Sequence, residues 1–169
     1  MTVRPRREDE LEECARLLEA VHRADAYPMF WPDDPVRWLS PCGLLGAWVA
    51  DEGGRVIGQV DLRAGEADGS AEVWSRVTGL TPERLALVGR FFVSPERRGR
   101  GVGQALLDTA CVAAAAHGRH PALDVVETNK AAIALYERRG WRRAFSERWS
   151  VAADGTLIHY YVAPGAPAA

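Results

Sequence analysis

The chain has 169 residues, of which 47% are hydrophobic and 26% are charged. This length predicts one domain with a core that needs no disulfide or structural metal, and the composition excludes a disordered chain, a collagen-like repeat and a coiled coil. Lys and Arg total 21 against 23 Asp and Glu, a net charge of −2, so no overall positive field attracts the protein to nucleic acid or to anionic lipid.

The cysteines and histidines predict neither a disulfide framework nor a metal site. Cys14, Cys42 and Cys111 are odd in number and far apart, and the four histidines lack the spacing of metal ligands. The charged N-terminal sequence does not resemble a signal peptide, and the apolar run at 110–116 is too short to cross a bilayer. We therefore expect a soluble cytoplasmic protein with no bound metal.

The first half of the chain predicts a strand, a helix, a long loop and a hairpin. A short strand at 2–4 ends at Pro5, and a helix at about 8–23 follows, with apolar residues on one face and acids in its first turn. The loop at 25–43 contains four prolines and four aromatic residues. Strands at 44–50 and 55–62 are joined by Asp51-Glu52-Gly53-Gly54, which favours a hairpin turn.

The second half predicts alternating strands and helices. An irregular segment at 65–83 includes a short helix at 71–77. A buried strand at 85–93, a helix at about 101–117 and a strand at 122–127 follow, and Asn129 can cap a helix that runs to Arg139. A last strand pair at 141–151 and 156–162 surrounds Asp154-Gly155, and residues 164–169 form a frayed tail. This order predicts a mixed α/β fold.

The most informative segment is the turn between the strand at 85–93 and the next helix. It combines three glycines and three arginines with a single acid: Gly99, Gly101, Gly103, Arg97, Arg98, Arg100 and Glu96. Glycine lets a backbone approach a ligand closely, and the first amides of a helix form an anion site. The turn therefore favours pyrophosphate binding, with a glycine-softened connection as the alternative. It lacks the lysine of a Walker A loop and the third glycine of a Rossmann fingerprint.

Two segments, in the proper order, resemble the Gcn5-related N-acetyltransferase (GNAT) family. The first fills every fixed position of V-x-P-x-x-[QR]-x-x-G-x-[GA] with Val93, Pro95, Arg98, Gly101 and Gly103. The second is TNKAAIALYERRGW at 128–141, which follows Leu123-x-Val125 and carries Asn129, Ala132, Tyr136 and Gly140-Trp141. The resemblance covers about residues 44–161 and, more loosely, the N-terminal strand and helix.

The resemblance implies an acyl-CoA N-acyltransferase fold over residues 1–163. This fold has a mixed, mostly antiparallel central sheet that is splayed between the fourth and fifth strands and flanked by helices. Acetyl-coenzyme A is implied as co-substrate in the cleft, its pyrophosphate on the amides of the turn and its pantetheine beside the preceding strand. The residues so implied are Phe91, Phe92, Val93, Arg97, Arg98, Gly99, Arg100, Gly101, Val102, Gly103, Gln104, Asn129 and Tyr136.

Acyl transfer from a thioester to an amine needs few protein groups. In the family a backbone N–H, here of Phe92 or Val93, donates to the carbonyl oxygen, and a tyrosine at the position of Tyr136 protonates the leaving thiolate. The same tyrosine would also suit a helix core, and Asn129 would also suit a plain helix cap.

The general base is not evident in the sequence. Histone-type members of the family carry a glutamate on the fourth strand, whereas residues 85–91 of this chain contain no carboxylate. Glu127 is the candidate base, and Glu72 and Asp25 are weaker ones. Arg90, on the same strand, either balances a buried carboxylate such as Asp124 or faces solvent.

The acceptor side is predicted from two segments that extend beyond a minimal family member, the loop at 25–43 and an insertion at about 65–83. Tyr27, Trp31 and Trp74 are candidates for aromatic pocket walls, with Asp33 or Asp34 attracting an amine; a hydrophobic cluster under long loops is the alternative. We expect acetyl transfer to a small-molecule amine by a monomer or homodimer, without nucleic acid or membrane. The alternatives are a protein N-terminal or lysine acetyltransferase and a non-catalytic acetyl-coenzyme A-binding module.

Overall fold

A computed structural model describes residues 1–150, 152 and 155–165 of the protein. The strands are β1 (Thr2–Pro5), β2 (Leu44–Glu52), β3 (Arg55–Ala64), β4 (Leu85–Val93), β5 (His120–Val126), β6 (Arg142–Arg148) and β7 (Leu157–Val162). The helices are α1 (Leu11–Asp25), α2 (Pro35–Trp38), α3 (Ala71–Thr78), α4 (Val102–Ala116) and α5 (Lys130–Arg138). Over these residues the hydrogen-bonded strand order is β1-β2-β3-β4-β5-β7-β6.

Strand directions confirm the predicted mixed, mostly antiparallel sheet. β1 with β2, β2 with β3, β5 with β7 and β6 with β7 are antiparallel pairs. β4 and β5 are parallel, and their register joins Leu85, Ala86 and Leu87 to His120, Pro121 and Ala122. Within the described residues, this register uses three of the nine residues of β4.

The chain divides into two compact units, and the first consists of Met1–Arg63 and Val88–Ala113. Its core forms where the apolar face of α1 meets β2, β3 and the end of β4: Cys14, Leu18, Val21, Leu39, Val49, Val56 and Phe92. Burial raises the pKa of the Cys14 thiol to about 12, so this cysteine behaves as a small core residue.

The second unit consists of Ala64–Leu87 and the described part of Ala114–Ala169. Its core lies between α3 and one face of β4, β5 and β7, and contains Trp74, Val77, Leu85, Leu87, Ala122, Ile158, Tyr160 and Val162. The prediction of a single domain over 1–163 stays a prediction.

Most predicted elements are confirmed, with boundaries shifted by a few residues. The first predicted helix begins as a 3-10 turn at Glu8–Glu10 and continues as α1. Ala26, the residue that caps the end of α1, has a φ of 55°. The predicted loop at 25–43 contains the one-turn helix α2, whose Asp34 side chain accepts from the Arg37 amide at 2.9 Å. Val151 and Asp154 of the last predicted strand pair, and 166–169 of the predicted tail, lie outside the described residues.

Candidate active site

The turn before α4 has the backbone geometry that its glycines predict. Gly99 and Gly101 adopt φ values of +72° and +81°, a left-handed conformation that side chains with a Cβ disfavour. Apart from the adjoining residues, no described residue has a heavy atom within 4 Å of a Cβ built on either glycine. The turn therefore presents bare backbone to open space at the start of a helix, and this arrangement fits a pyrophosphate group.

The amides of this turn are available to a ligand. The Arg97 amide donates to the Ser94 carbonyl at 2.9 Å and the Ala105 amide to the Gly101 carbonyl at 3.0 Å. Within the described residues, no amide between them, from residue 98 to 104, donates a hydrogen bond. Since these unpaired donors lie at the positive end of the α4 dipole, they form an anion site.

The arginines of the turn are less free than the local sequence indicates. Arg97 Nε donates to Glu52 at 2.7 Å, and Arg98 forms a two-pronged ion pair with Asp25, one arm at 3.0 Å. The local sequence predicted a surplus of positive charge at the turn. That surplus is smaller in the structure, because Glu52 of β2 and Asp25 of α1 pair with two of the arginines. Asp25, a weaker candidate for the base, is engaged by Arg98.

The end of β4 carries the predicted pantetheine-binding segment. Phe92 is buried in the core of the first unit, whereas Phe91 and Val93 are half-buried. Arg90 has a φ of +39°, which is rare for a residue with a side chain and marks a local distortion within the strand. The backbone donor expected at Phe92 or Val93 therefore lies two or three residues after an irregular point of β4.

Arg90 lies beside a buried carboxylate that the sequence analysis missed. Its Nε donates to the Trp38 carbonyl at 2.6 Å, its guanidinium lies 4.8 Å from the centre of the Trp38 ring, and Nε is 3.5 Å from Asp61 Oδ2. The suggestion of Asp124 as the buried partner was wrong, because Asp124 is exposed and Asp61 is fully buried. The only signal in the sequence is an acid within the apolar run of β3.

In the second unit, α5 positions the two predicted residues of the second motif. The Asn129 side chain accepts from the Ala132 amide at 3.3 Å and caps the helix, as predicted. Tyr136 is 5% exposed, with its ring centroid 5.9 Å from those of Trp141 and Tyr161. This packing fixes the tyrosine ring; the role of its hydroxyl in proton transfer stays a prediction.

Glu127, the candidate base, is tied to the backbone of β7. Its carboxylate accepts from the Leu157 amide at 2.8 Å, and its own amide donates to the Leu157 carbonyl at 2.9 Å. These two contacts suit a structural link between the end of β5 and the start of β7. Glu72 is exposed on α3.

The predicted aromatic acceptor residues differ in exposure. Trp31 is 39% exposed and packs at a tilt against His22 with ring centroids 5.1 Å apart. Tyr27 is half-buried and packs edge-on against Trp38 at 6.4 Å. Trp74, by contrast, is 1% exposed and lies edge-on to Tyr160 in the core of the second unit. Because its indole has almost no free surface, we do not include Trp74 in the proposed acceptor site.

The described part of the chain lacks two other features. No group of three or more His, Cys, Asp or Glu side chains there is placed to hold a metal ion. None of the described helices combines the length and apolar character needed to cross a membrane.

Comparisons with known proteins agree with the two motifs. The model of the acetyltransferase (GNAT) family matches residues 11–141. The mycothiol acetyltransferase of Geodermatophilus obscurus is 32% identical over 110 residues, which cover 63% of this chain and 30% of that protein. The chain thus spans about a third of the length of this curated relative.

Solved structures share the fold over nearly the whole chain. The ribosomal-protein-S18-alanine N-acetyltransferase of Escherichia coli superposes with a TM-score of 0.71 at 18% identity, covering 99% of this chain and 96% of its own. YncA of Salmonella typhimurium, solved with acetyl-CoA, has a TM-score of 0.69 at 18% identity. The superposition covers 95% of this chain and 91% of YncA. At this identity these structures confirm the fold alone.

Proposed function

Because the chain belongs to the acetyltransferase (GNAT) family, we propose that it transfers an acetyl group from acetyl-coenzyme A to the primary amine of a small-molecule acceptor. The single observation that carries the proposal is the turn before α4, where Gly99 and Gly101 expose unpaired amides to open space. The family explains why such a turn is present, since its members take acetyl-coenzyme A as co-substrate.

The binding role of each segment follows from its geometry. The free amides of residues 98–104 would receive the pyrophosphate, and the Arg98 side chain can exchange its exposed pairing with Asp25 for a phosphate oxygen. The backbone of Phe91, Phe92 and Val93 would pair with the pantetheine as an added strand does.

Direct attack in a ternary complex needs no covalent enzyme intermediate. The acceptor nitrogen bonds to the carbonyl carbon of the thioester while the carbon–sulfur bond breaks. A backbone N–H at Phe92 or Val93 stabilises the negative charge that grows on the carbonyl oxygen. The Tyr136 hydroxyl supplies a proton to the leaving thiolate, and a base takes the proton that the amine loses.

A small, partly aromatic acceptor is favoured by the loop after α1. Phe30 and Trp31 are 55% and 39% exposed, and large aromatic side chains that remain exposed beside a site often contact ligands. The names of similar proteins point in two directions, to mycothiol in one case and to an alanine of a ribosomal protein in another. Protein N-terminal acetylation is therefore the second candidate.

The test is release of free thiol from acetyl-coenzyme A, measured with separate acceptors. Phenethylamine, spermidine and glucosamine represent small amines, and short peptides with an N-terminal alanine or an internal lysine represent proteins. Higher kcat/KM for a small amine supports the proposal, and higher kcat/KM for a peptide replaces it by the second candidate. Calorimetric binding of acetyl-coenzyme A without turnover of any acceptor would instead indicate a non-catalytic binding module.

A further inference from the structure

Asp61 on β3 is an unusual buried carboxylate. The residue is 0% exposed, and within the described residues neither of its carboxylate oxygens has a hydrogen-bond partner. The arginine nitrogens beside it, Nε of Arg90 and Nε of Arg63, lie 3.5 Å and 3.9 Å away, beyond the usual length of a charge-assisted hydrogen bond. Burial of a carboxylate with so little hydrogen bonding costs stability.

The ion pairs of Arg4, in the same unit, have shorter contacts than those of Asp61. Arg4 reaches Asp51 at 2.7 Å and Glu10 at 3.0 Å through separate nitrogens, and the Asp51 carboxylate also accepts from the Gly54 amide at 2.9 Å. Asp51 therefore has a donor on each carboxylate oxygen, whereas neither oxygen of Asp61 accepts a well-formed hydrogen bond within the described residues. A buried group that retains unused capacity near a site is a candidate for function rather than for stability.

Asp61 faces β4 at a residue that has no side chain. A Cβ built on Gly89 would lie 3.0 Å from Asp61 Oδ1 and 3.3 Å from an Arg63 terminal nitrogen. The carboxylate thus occupies the space above β4 that a side chain of β4 would otherwise fill. Gly89 itself is half-buried, whereas both carboxylate oxygens of Asp61 are buried.

This position adjoins the part of β4 where acetyl transfer is expected. Gly89 precedes Arg90, the residue with the distorted backbone, by one position, and Phe92 and Val93 lie two and three positions after Arg90. No residue of β4 carries a carboxylate. A carboxylate is nevertheless present at the surface of β4, supplied by the neighbouring strand.

We propose that Asp61 accepts the proton of the attacking amine, and this inference rests on the proposed function. As the nitrogen–carbon bond forms and the carbon–sulfur bond breaks, the proton on the nitrogen passes through one intervening water to the buried Asp61 carboxylate. The thiolate is protonated separately, and Asp61 later releases its proton to solvent. Asp61 would thereby do the work of the missing β4 carboxylate.

The charged surroundings are consistent with a proton acceptor. Burial raises the pKa of Asp61, and the positive charges of Arg90, Arg63 and Arg6, together with the nearby Gly89 amide, oppose the rise. Arg6 also faces Glu10 and the Cys14 thiol. A base with a raised pKa takes a proton more readily near neutral pH, and loss of its ionised form at lower pH gives the rate an acidic limb.

The experiment compares Asp61→Asn with Asp51→Asn, using whichever of phenethylamine, spermidine or glucosamine the wild-type protein acetylates. Asp61→Asn should lower kcat at least about hundredfold, as loss of a general base does, and should remove the acidic limb of the pH profile of kcat. The affinity for acetyl-coenzyme A should not change. Asp51→Asn removes the charge that pairs with Arg4, so it should lower the melting temperature. It should leave the acidic limb of the pH profile in place.

Two further variants make the result decisive. Gly89→Ala, which crowds Asp61 Oδ1 without removing it, should lower kcat while acetyl-coenzyme A still binds; this variant also tests the proposal if Asp61→Asn does not fold. The inference is overturned if Asp61→Asn and Gly89→Ala keep the wild-type limb and rate, or if Glu127→Gln alone removes the limb. A wild-type protein that acetylates none of the amines would instead contradict the proposed function.

Discussion

Replacement of Gly101 by alanine separates backbone strain from ligand binding. With a φ of +81°, an added Cβ costs about 1–2 kcal/mol of folding free energy, or about 2–8 °C in the melting temperature of a protein of this size. Among the described residues, no atom beyond the adjoining ones lies within 4 Å of that Cβ, so no clash adds to the cost. The Cβ would, however, stand where the pyrophosphate is expected, and we expect the Kd for acetyl-coenzyme A to rise at least about tenfold, or ~1.4 kcal/mol.

Gly54, in the turn between β2 and β3, is a matched control. It has the same φ of +81° and, like Gly101, nothing within 4 Å of a built Cβ. Gly54→Ala should therefore lower the melting temperature by a similar amount and leave the Kd unchanged, as measured by calorimetry on both variants. Equal affinities in the two variants, or equal losses, would refute the assignment of the turn to the pyrophosphate.

Three other predictions follow from the same structure. Tyr136→Phe keeps the ring packing against Trp141 and Tyr161 and should lower kcat at least about tenfold with little change in acetyl-coenzyme A affinity; an unchanged kcat would leave Tyr136 a core residue. Trp31→Ala should raise the KM for the amine about tenfold with a small loss of stability. Trp74→Ala, at a buried position, should cost about 3–5 kcal/mol of unfolding free energy. Chemical denaturation and the KM values for the amine and for acetyl-coenzyme A distinguish these outcomes. Burial lowers the pKa of His159 below its ordinary 6.5, so the unfolded chain binds a proton there more readily than the folded protein does. The unfolding free energy should therefore fall as pH decreases from about 7 to 5, and His159→Gln should weaken this pH dependence.

Local signals account for most of the fold that was predicted. The positive φ values of Gly53 and Gly54 and the Asn129 cap depend on residues close in sequence, and turn and cap chemistry is readable at that range. Helix α2 was missed because its four residues are too few for a periodic pattern. Its stability comes from one capping side chain and from packing against α1.

The sequence alone determined the family, the coenzyme and the turn that receives it, because glycine spacing, the following helix and the second motif are all local. Which side chains meet across β-strands was decided only by the tertiary structure. The partners of Arg97 and Arg98 are 45 and 73 residues away, and Trp74 is buried because α3 packs on β7. Asp61 and Gly89 meet because β3 and β4 are neighbours in the sheet. Strand pairing sets such contacts through register, and no pattern within a single strand encodes the register of its neighbour.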